Sequence, residues 1–401
     1  MLNETKAPRY GTRSTMATSR AATKWIHTWS GVLFGALVSV ICLTGSIIVF
    51  RQEVESPPRL RNAPAANLNV SLDAAAREIG RVESDARVTR VRFPSYPNEP
   101  YVFQLQAADK QTRRVVFDAS SGQVTSELKK VAWMDWMIDL HRNVLYGKPG
   151  RQAVGGIGIL CFALAATALL LWLLNGGNLR ALVTVRTGPA RRINLELHRA
   201  AGLWTLVFIM LLSATGVAIS YPQTFRNTWE SWTGTPAAVP APKSTDKPSE
   251  RKQSLDEYLA IGRAAVPDGV PTELRVPETL KGAVVVRFWR AGDLTAAGSN
   301  RVYIDPSNAR VLSTDLAANW TLGVRLFQAL APIHYGEFGG LPLKLLWSLL
   351  GVTPAVLFVT GLVVWSRPSR KKDGRKISTE LRERELSRNR KVPEPVGTNS
   401  R

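Results

Sequence analysis

The sequence predicts a membrane protein: an all-α bundle of four transmembrane helices, a two-helix unit written twice, with one α+β domain outside the membrane in each half. Three observations predict it. Four uncharged, largely apolar runs occupy residues 25–50, 152–179, 200–225 and 345–366, each long enough for the roughly 20 residues that span a bilayer. Two of these runs share one register. HTWSGVLFGALVSVICLTG opens at His27 and HRAAGLWTLVFIMLLSATG at His198, each with a glycine four residues on (Gly31, Gly202) and a closing Thr-Gly pair (Thr44-Gly45, Thr215-Gly216). Finally, the chain has only 4 histidines, and each falls at an equivalent point of the repeat.

A net charge of +21 would suggest nucleic acid in a soluble protein, but its distribution argues for topology instead. Segments 1–26, 175–199 and 366–401 carry most of the excess, and alternating spans put all three on one side. That is the positive-inside pattern, so both termini and the middle loop are expected in the cytoplasm of a bacterial inner membrane. A basic tail gripping anionic lipid is a second use for the same charge. Nucleic acid is not an expected partner.

Taken in order, residues 1–24 read as a disordered tail and 25–50 as a retained anchor rather than a cleaved signal, because its apolar part is too long. The Pro-rich 55–67 stretch is a linker within the first outside segment, 51–130. Ser71 is the expected N-cap of a short helix, followed by strands at 88–93, 101–105 and 113–117 and a turn at Asp118. After span 200–225 the same order recurs within 226–317: a linker at 234–253, a helix opening at Ser254, strands at 283–289 and 301–304, and a turn at Asp305. RVVFDASSGQV and RVYIDPSNARV are one hairpin written twice. Segments 131–151 and 318–344 are interfacial, 180–199 is a cytoplasmic loop and 367–401 a basic tail. From His141 the chain reaches Gly158, Thr167 and Trp172; from His334 it reaches Gly351, Thr360 and Trp365 at identical offsets.

His27 and His198 therefore sit at the cytoplasmic face, His141 and His334 at the periplasmic face. Two imidazoles at each face suit two axially ligated haems stacked across the membrane, with the ring of each held inside a helix bundle. Gly31, Gly202, Gly158 and Gly351 would admit a flat ring, and Arg142, Arg199 and Lys24 would pair with propionates. The bland reading is that interfacial histidines were merely copied with the repeat. Zinc would want three or four ligands at one face, whereas each face supplies two histidines with no nearby cysteine; Glu337 would add a carboxylate near His334, but nothing equivalent stands beside His141. Cys42 and Cys161 lie in apolar runs and read as small hydrophobes. Trp25, Trp29, Trp172, Trp347 and Trp365 read as aromatic-belt anchors. Trp133, Trp136 and Trp320 read as interfacial, with Asp135 and Asp139 either handling protons or lying on a solvated face. Arg87, Arg90 and Arg92 form either a docking surface or the solvated face of a strand.

In His27…Gly31…Thr44-Gly45, His198-Arg199…Gly202…Thr215-Gly216, His141-Arg142, HYGEFGG at 334–340 and Thr360-Gly361…Trp365, residues 20–368 resemble the PepSY-associated transmembrane family. The hairpins ending at Asp118 and Asp305 resemble PepSY domains. The resemblance implies two periplasmic α+β PepSY-like domains. It also implies two b-type haems, one ligated by His27 and His198 and one by His141 and His334, as in iron-regulated inner-membrane proteins and ferric-siderophore reductases. Some relatives carry a fused flavin reductase domain; with only a short basic tail after Trp365, a separate electron donor is expected (a protein, a quinol or a small reductant). The expected function is an oxidoreductase reducing a ferric siderophore or other ferric chelate in the periplasm. The rival is a haem-free membrane protein whose PepSY-like domains bind a periplasmic partner such as a peptidase. A transporter component has less support, since only Pro354 breaks the middle of a span.

Overall fold

The computed structural model describes residues 11–55, 70–83, 85–94, 100–109, 111–125, 132–244, 254–279 and 281–367. Most of the Pro-rich linker, residues 245–253 of the second linker and the basic tail from 368 onward lie outside the described residues. In chain order the first half comprises helices α1 (Gly11–Ile48), α2 (Arg51–Glu55) and α3 (Leu72–Val82), strands β1 (Ala86–Arg92), β2 (Tyr101–Ala107), β3 (Thr112–Phe117) and β4 (Val124–Thr125), and helices α4 (Ala132–Asn143) and α5 (Gly147–Leu174). The second half runs through the same succession. Its helices are α6 (Ala190–Ser220), α7 (Pro222–Thr233) and α8 (Leu255–Ala265), its strands β5 (Val270–Arg275), β6 (Val284–Trp289), β7 (Asn300–Ile304) and β8 (Val311–Asp315), and it closes with α9 (Leu322–Tyr335) and α10 (Gly340–Ser366).

α1, α5, α6 and α10 are long and apolar enough to cross a membrane, as the four uncharged runs require. In lipid such runs must close their backbone hydrogen bonds internally, which a helix does. α1 nevertheless starts at Gly11, so residues 11–24 are helical rather than a disordered tail: no proline or glycine interrupts 12–30. α6 likewise starts at Ala190, inside the expected loop, directly after Pro189.

The helices alternate in direction. The Arg20 guanidinium at the start of α1 donates to the Leu174 carbonyl at the end of α5, and Arg151 at the start of α5 donates to Ile219 near the end of α6. α1 packs on α5 and α10, and α6 packs on the same two, so α1 and α6 face each other diagonally. Small residues set the approach: a Cβ on Gly158 would lie 2.9 Å from Val217, and one on Gly351 would collide with Ser46. Pro354 removes a donor from the middle of α10, and the Thr353 hydroxyl takes up the freed Leu350 carbonyl at 2.6 Å. Both strand-bearing segments leave the same end of the bundle, called here the sheet end; the opposite end is the loop end. Near the sheet end the buried Lys344 ammonium pairs with Glu53 at 2.8 Å.

The two α+β units are not separate domains. β1 and β5 pair antiparallel, joining all strands into one eight-stranded sheet of order β4-β3-β2-β1-β5-β6-β7-β8. Each unit thus has four strands where about three were expected. β5 escaped the sequence reading because Pro271 sits in it, at a bulge between Pro271 and Glu273. The union is physically reasonable: β1 and β5 would each be an exposed edge, and each covers the other. α3 and α8 lie on one face, over a core that includes Leu72, Ile79, Phe103, Leu105, Leu274, Val286 and Phe288.

The helix starts tie the halves together as well. Ser71 and Ser254 cap their own helices, accepting from Ala74 and Glu257 backbone N–H groups. Each helix also caps the other. The Asp256 carboxylate accepts from the N–H of Leu72 at 2.6 Å and Asp73 at 3.3 Å, and Asp73 accepts from Leu255 at 3.0 Å and Asp256 at 3.1 Å. Burial raises the Asp73 pKa, but the N–H groups of Leu255 and Asp256 outweigh it and hold the carboxyl below its ordinary value.

Candidate functional site

His27 on α1 and His198 on α6 project from diagonal helices near the loop end, and their ring centroids are 6.2 Å apart with planes at 80°. His141 on α4 and His334 on α9 meet at the sheet end, centroids 6.3 Å apart and planes at 43°. The four histidines are brought together two by two, as the repeat implies. The loop-end pair comes from spanning helices. The sheet-end pair comes from short helices that fold back against α1 and α6.

Every ring is held by its Nδ1. His27 Nδ1 meets Thr167 Oγ1 at 2.9 Å; His198 Nδ1 meets the Leu357 carbonyl at 2.9 Å and Thr360 Oγ1 at 3.1 Å. His141 Nδ1 meets the Ile41 carbonyl at 2.8 Å and Thr44 Oγ1 at 3.2 Å, and His334 Nδ1 meets Thr215 Oγ1 at 3.0 Å. A carbonyl only accepts, so His141 and His198 carry the proton on Nδ1. Thr167 already donates to Leu164, and Thr215 to Leu211, so those hydroxyls accept from His27 and His334. All four imidazoles are therefore fixed as the tautomer whose Nε2 offers a lone pair, the arrangement a metal-ligating histidine needs. Among the described residues no Nε2 of the four makes a hydrogen bond.

The spacing can be tested against a ligand set. Two imidazoles bound on opposite sides of one iron, each at about 2.0–2.1 Å, have ring centroids roughly 6.2–6.4 Å apart. The observed 6.2 and 6.3 Å fit that separation. Among the described residues no group of three or more His, Cys, Asp or Glu side chains could hold a bare metal ion, and each pair brings two imidazole nitrogens together. Glu337 does not join His334 in such a group.

The glycines nearest the rings are not all the expected ones. An added Cβ on Gly45 would lie 3.0 Å from His141 Cε1, on Gly216 3.0 Å from His334 Cε1, and on Gly361 3.2 Å from His198 Cε1. Gly158 and Gly351 serve helix crossings instead. Gly31 and Gly202, one turn from His27 and His198, would meet only Leu164 at 3.9 Å and Leu357 at 3.6 Å, which leaves room for a flat ring beside them. Arg142, Arg199 and Lys24 are exposed beside their histidines, and among the described residues Arg142 and Arg199 have no ion-pair partner.

The threonine anchors were missed, although Thr44, Thr167, Thr215 and Thr360 recur in the sequence at fixed offsets. Trp347 is not a belt anchor: its Nε1 donates to the Ile333 carbonyl at 2.9 Å, bracing the turn that carries His334. Trp320 is not in an interfacial helix, since its Nε1 donates to Asp315 at 2.6 Å on the sheet. Trp25, Trp29, Trp133, Trp136 and Trp365 are exposed, as belt residues would be. Asp135 pairs with Arg51 at 3.8 Å and Asp139 accepts from Asn143, so neither stands at a ring. Cys42 and Cys161 are free thiols that pack together between α1 and α5.

Comparison with known proteins places these features in a family. The sequence model of the PepSY-associated TM region matches residues 24–367. The chain is also similar to an uncharacterized protein of Pseudomonas aeruginosa, 24% identical over 256 residues, which are 58% of this chain and 63% of that protein.

Proposed function

The chain belongs to the PepSY-associated transmembrane family, and from that premise we propose that it is a duplicated, di-haem b electron-transfer protein of the bacterial inner membrane. In this reading the sheet lies in the periplasm, both termini lie in the cytoplasm, and the protein reduces a ferric siderophore or another ferric chelate. The observation that carries it is the matched pair of histidine pairs, each with tautomers fixed and rings at the separation bis-imidazole ligation requires. Haem iron would supply reversible one-electron transfer; the chemistry belongs to the cofactor, and the protein supplies position and electrostatics.

His27 and His198 would hold the loop-end haem, and His141 and His334 the sheet-end haem. Thr167, Thr360, Thr44 and Thr215 keep the rings turned and their Nε2 lone pairs available. Arg142 and Arg199 would balance propionate charge. From His27 to the Ile41–Gly45 turn that holds His141, about 1.5 Å per residue along α1 places the two sites roughly 20–27 Å apart. Two centres would thus divide the crossing into shorter steps. A separate donor is oxidised by one electron and Fe(III) is reduced to Fe(II), which hard oxygen ligands hold less tightly.

The test is a visible spectrum of the purified protein, oxidised and dithionite-reduced, with haem counted per chain. About two b-type haems are expected, with His27→Ala or His198→Ala removing one and His141→Ala or His334→Ala the other. A protein that takes up no haem when haem is ample would leave the binding-module reading in its place.

A further inference from the structure

The sheet has a second face, opposite α3 and α8, and its composition is unusual. Strand register lines up two rows of side chains across it. Arg114, Gln104, Arg90 and Arg275 stand directly opposite one another on β3, β2, β1 and β5. Arg92, Glu273, Arg287, Arg301 and Asp315 do the same from β1 through β5, β6 and β7 to β8. Six arginines thus share these two rows with two carboxylates. Glu273 is taken by Arg90 and Arg275, and Asp315 by Arg301. Arg92, Arg114 and Arg287 have no ion-pair partner among the described residues.

Like charges directly opposite each other weaken a sheet, yet Arg90 faces Arg275 and Arg287 faces Arg301. Burial above all, with neighbouring guanidinium charges adding to it, pulls Arg90 and Arg287 below the ordinary arginine pKa, and Glu273 opposes. The Arg287 Nε is buried without a hydrogen-bond acceptor among the described residues. Where the halves join, the face is hollowed by a depression of about 240 Å³ lined by Arg90, Arg275, Gln104, Gln106, Thr112 and Glu278, among others. Burial raises the Glu337 pKa, and the charges of Lys344 and Arg287 oppose that rise, so Arg287 lies within electrostatic reach of a residue three positions from His334.

We propose that this arginine face binds an anionic, carboxylate-bearing ferric chelate. Guanidinium forks match carboxylates in bidentate pairs, and three of the six arginines have no acid to match among the described residues. The small hollow favours a compact chelate over an acidic protein segment. The inference rests on the ferric-chelate reading and names the substrate class.

The experiment uses the full chain in nanodiscs of neutral lipid, titrated with gallium(III) citrate, a redox-inert stand-in for the ferric complex, and followed calorimetrically. Saturable binding is expected, falling as salt rises. It should weaken at least tenfold in Arg92→Gln/Arg287→Gln and in Arg90→Gln/Arg114→Gln, and stay unchanged in Arg81→Gln on the far side of the sheet. Melting curves identify any variant that fails to fold, and the two double variants check each other. Absence of binding overturns the proposal. So does binding indifferent to both double variants, or an arginine dependence that appears only with anionic lipid. Gallium accepts no electron, so the outcome does not depend on haem. Haem-loaded protein that ignores gallium citrate refutes this inference alone, and chelate binding by a haem-free protein refutes the electron-transfer reading instead.

Discussion

On the di-haem proposal, Gly216→Ala should separate a cofactor effect from a folding effect. The added Cβ would lie 3.0 Å from His334 Cε1, inside the ~3.5–4.0 Å of ordinary carbon–carbon contact. The ring must retreat by roughly 0.5–1 Å, stretching its 3.0 Å bond to Thr215. Functional geometry tolerates about 0.5 Å, and disturbing the support of a metal ligand typically costs about 10–100-fold in affinity, or roughly 1.4–2.7 kcal/mol. The backbone gains meanwhile, because alanine is up to ~1 kcal/mol better than glycine inside a helix. The haem-free protein should therefore melt no lower than wild type while the sheet-end haem is selectively weakened. Haem counting and a redox titration resolved into two components read this out, with Gly156→Ala as control, since a Cβ there meets nothing within 4 Å. Wild-type occupancy and potentials in Gly216→Ala, or equal loss of both components, would refute the reasoning.

Thr167→Val and Thr360→Val remove acceptors from His27 and His198, so both should lower loop-end haem affinity and raise that component's potential, leaving the sheet-end component in place; the same titration checks it. Asp73→Ala and Asp256→Ala should each cost about 1–2 kcal/mol in thermal or denaturant unfolding, with the double variant costing less than the sum because the two carboxylates hold one interface. The Asp73 pKa is depressed on folding, so its contribution is complete above the unfolded value of about 3.9 and is lost as pH falls through the lower folded value. Melting curves should show that loss in wild type and less of it in Asp73→Asn. Lys344→Met removes the buried ammonium that pairs with the half-buried Glu53 carboxylate; it should lower the melting temperature, and adding Glu53→Gln should restore part of it.

Four spans, their order and the positions of the histidines were legible in the sequence, because lipid forces long apolar runs into helices and leaves few alternatives. The caps at Ser71 and Ser254 were legible for a similar local reason: an oxygen three residues before a free N–H needs no distant partner. The repeated threonines were visible but silent. Nothing in a one-dimensional offset says that Thr215 on α6 lies beside His334, which is 119 residues away. Trp347 and Trp320 were misplaced by the same limit, since an indole near a helix end looks alike whether it meets lipid or a carbonyl.

The union of the two α+β units is the clearest decision made by tertiary structure. Each half encodes its own helix and strands by hydrophobic alternation, but whether β1 pairs with β5 depends on two edges finding each other across more than 180 residues. The arginine rows follow from that pairing, because Arg90 and Arg275 become neighbours only when the edges join. The sequence by itself determined which residues repeat and which runs enter the membrane, since those are properties of a segment and its solvent. Only the folded chain decided which repeated residues touch, because contact distance and donor direction exist only after the helices and strands have packed.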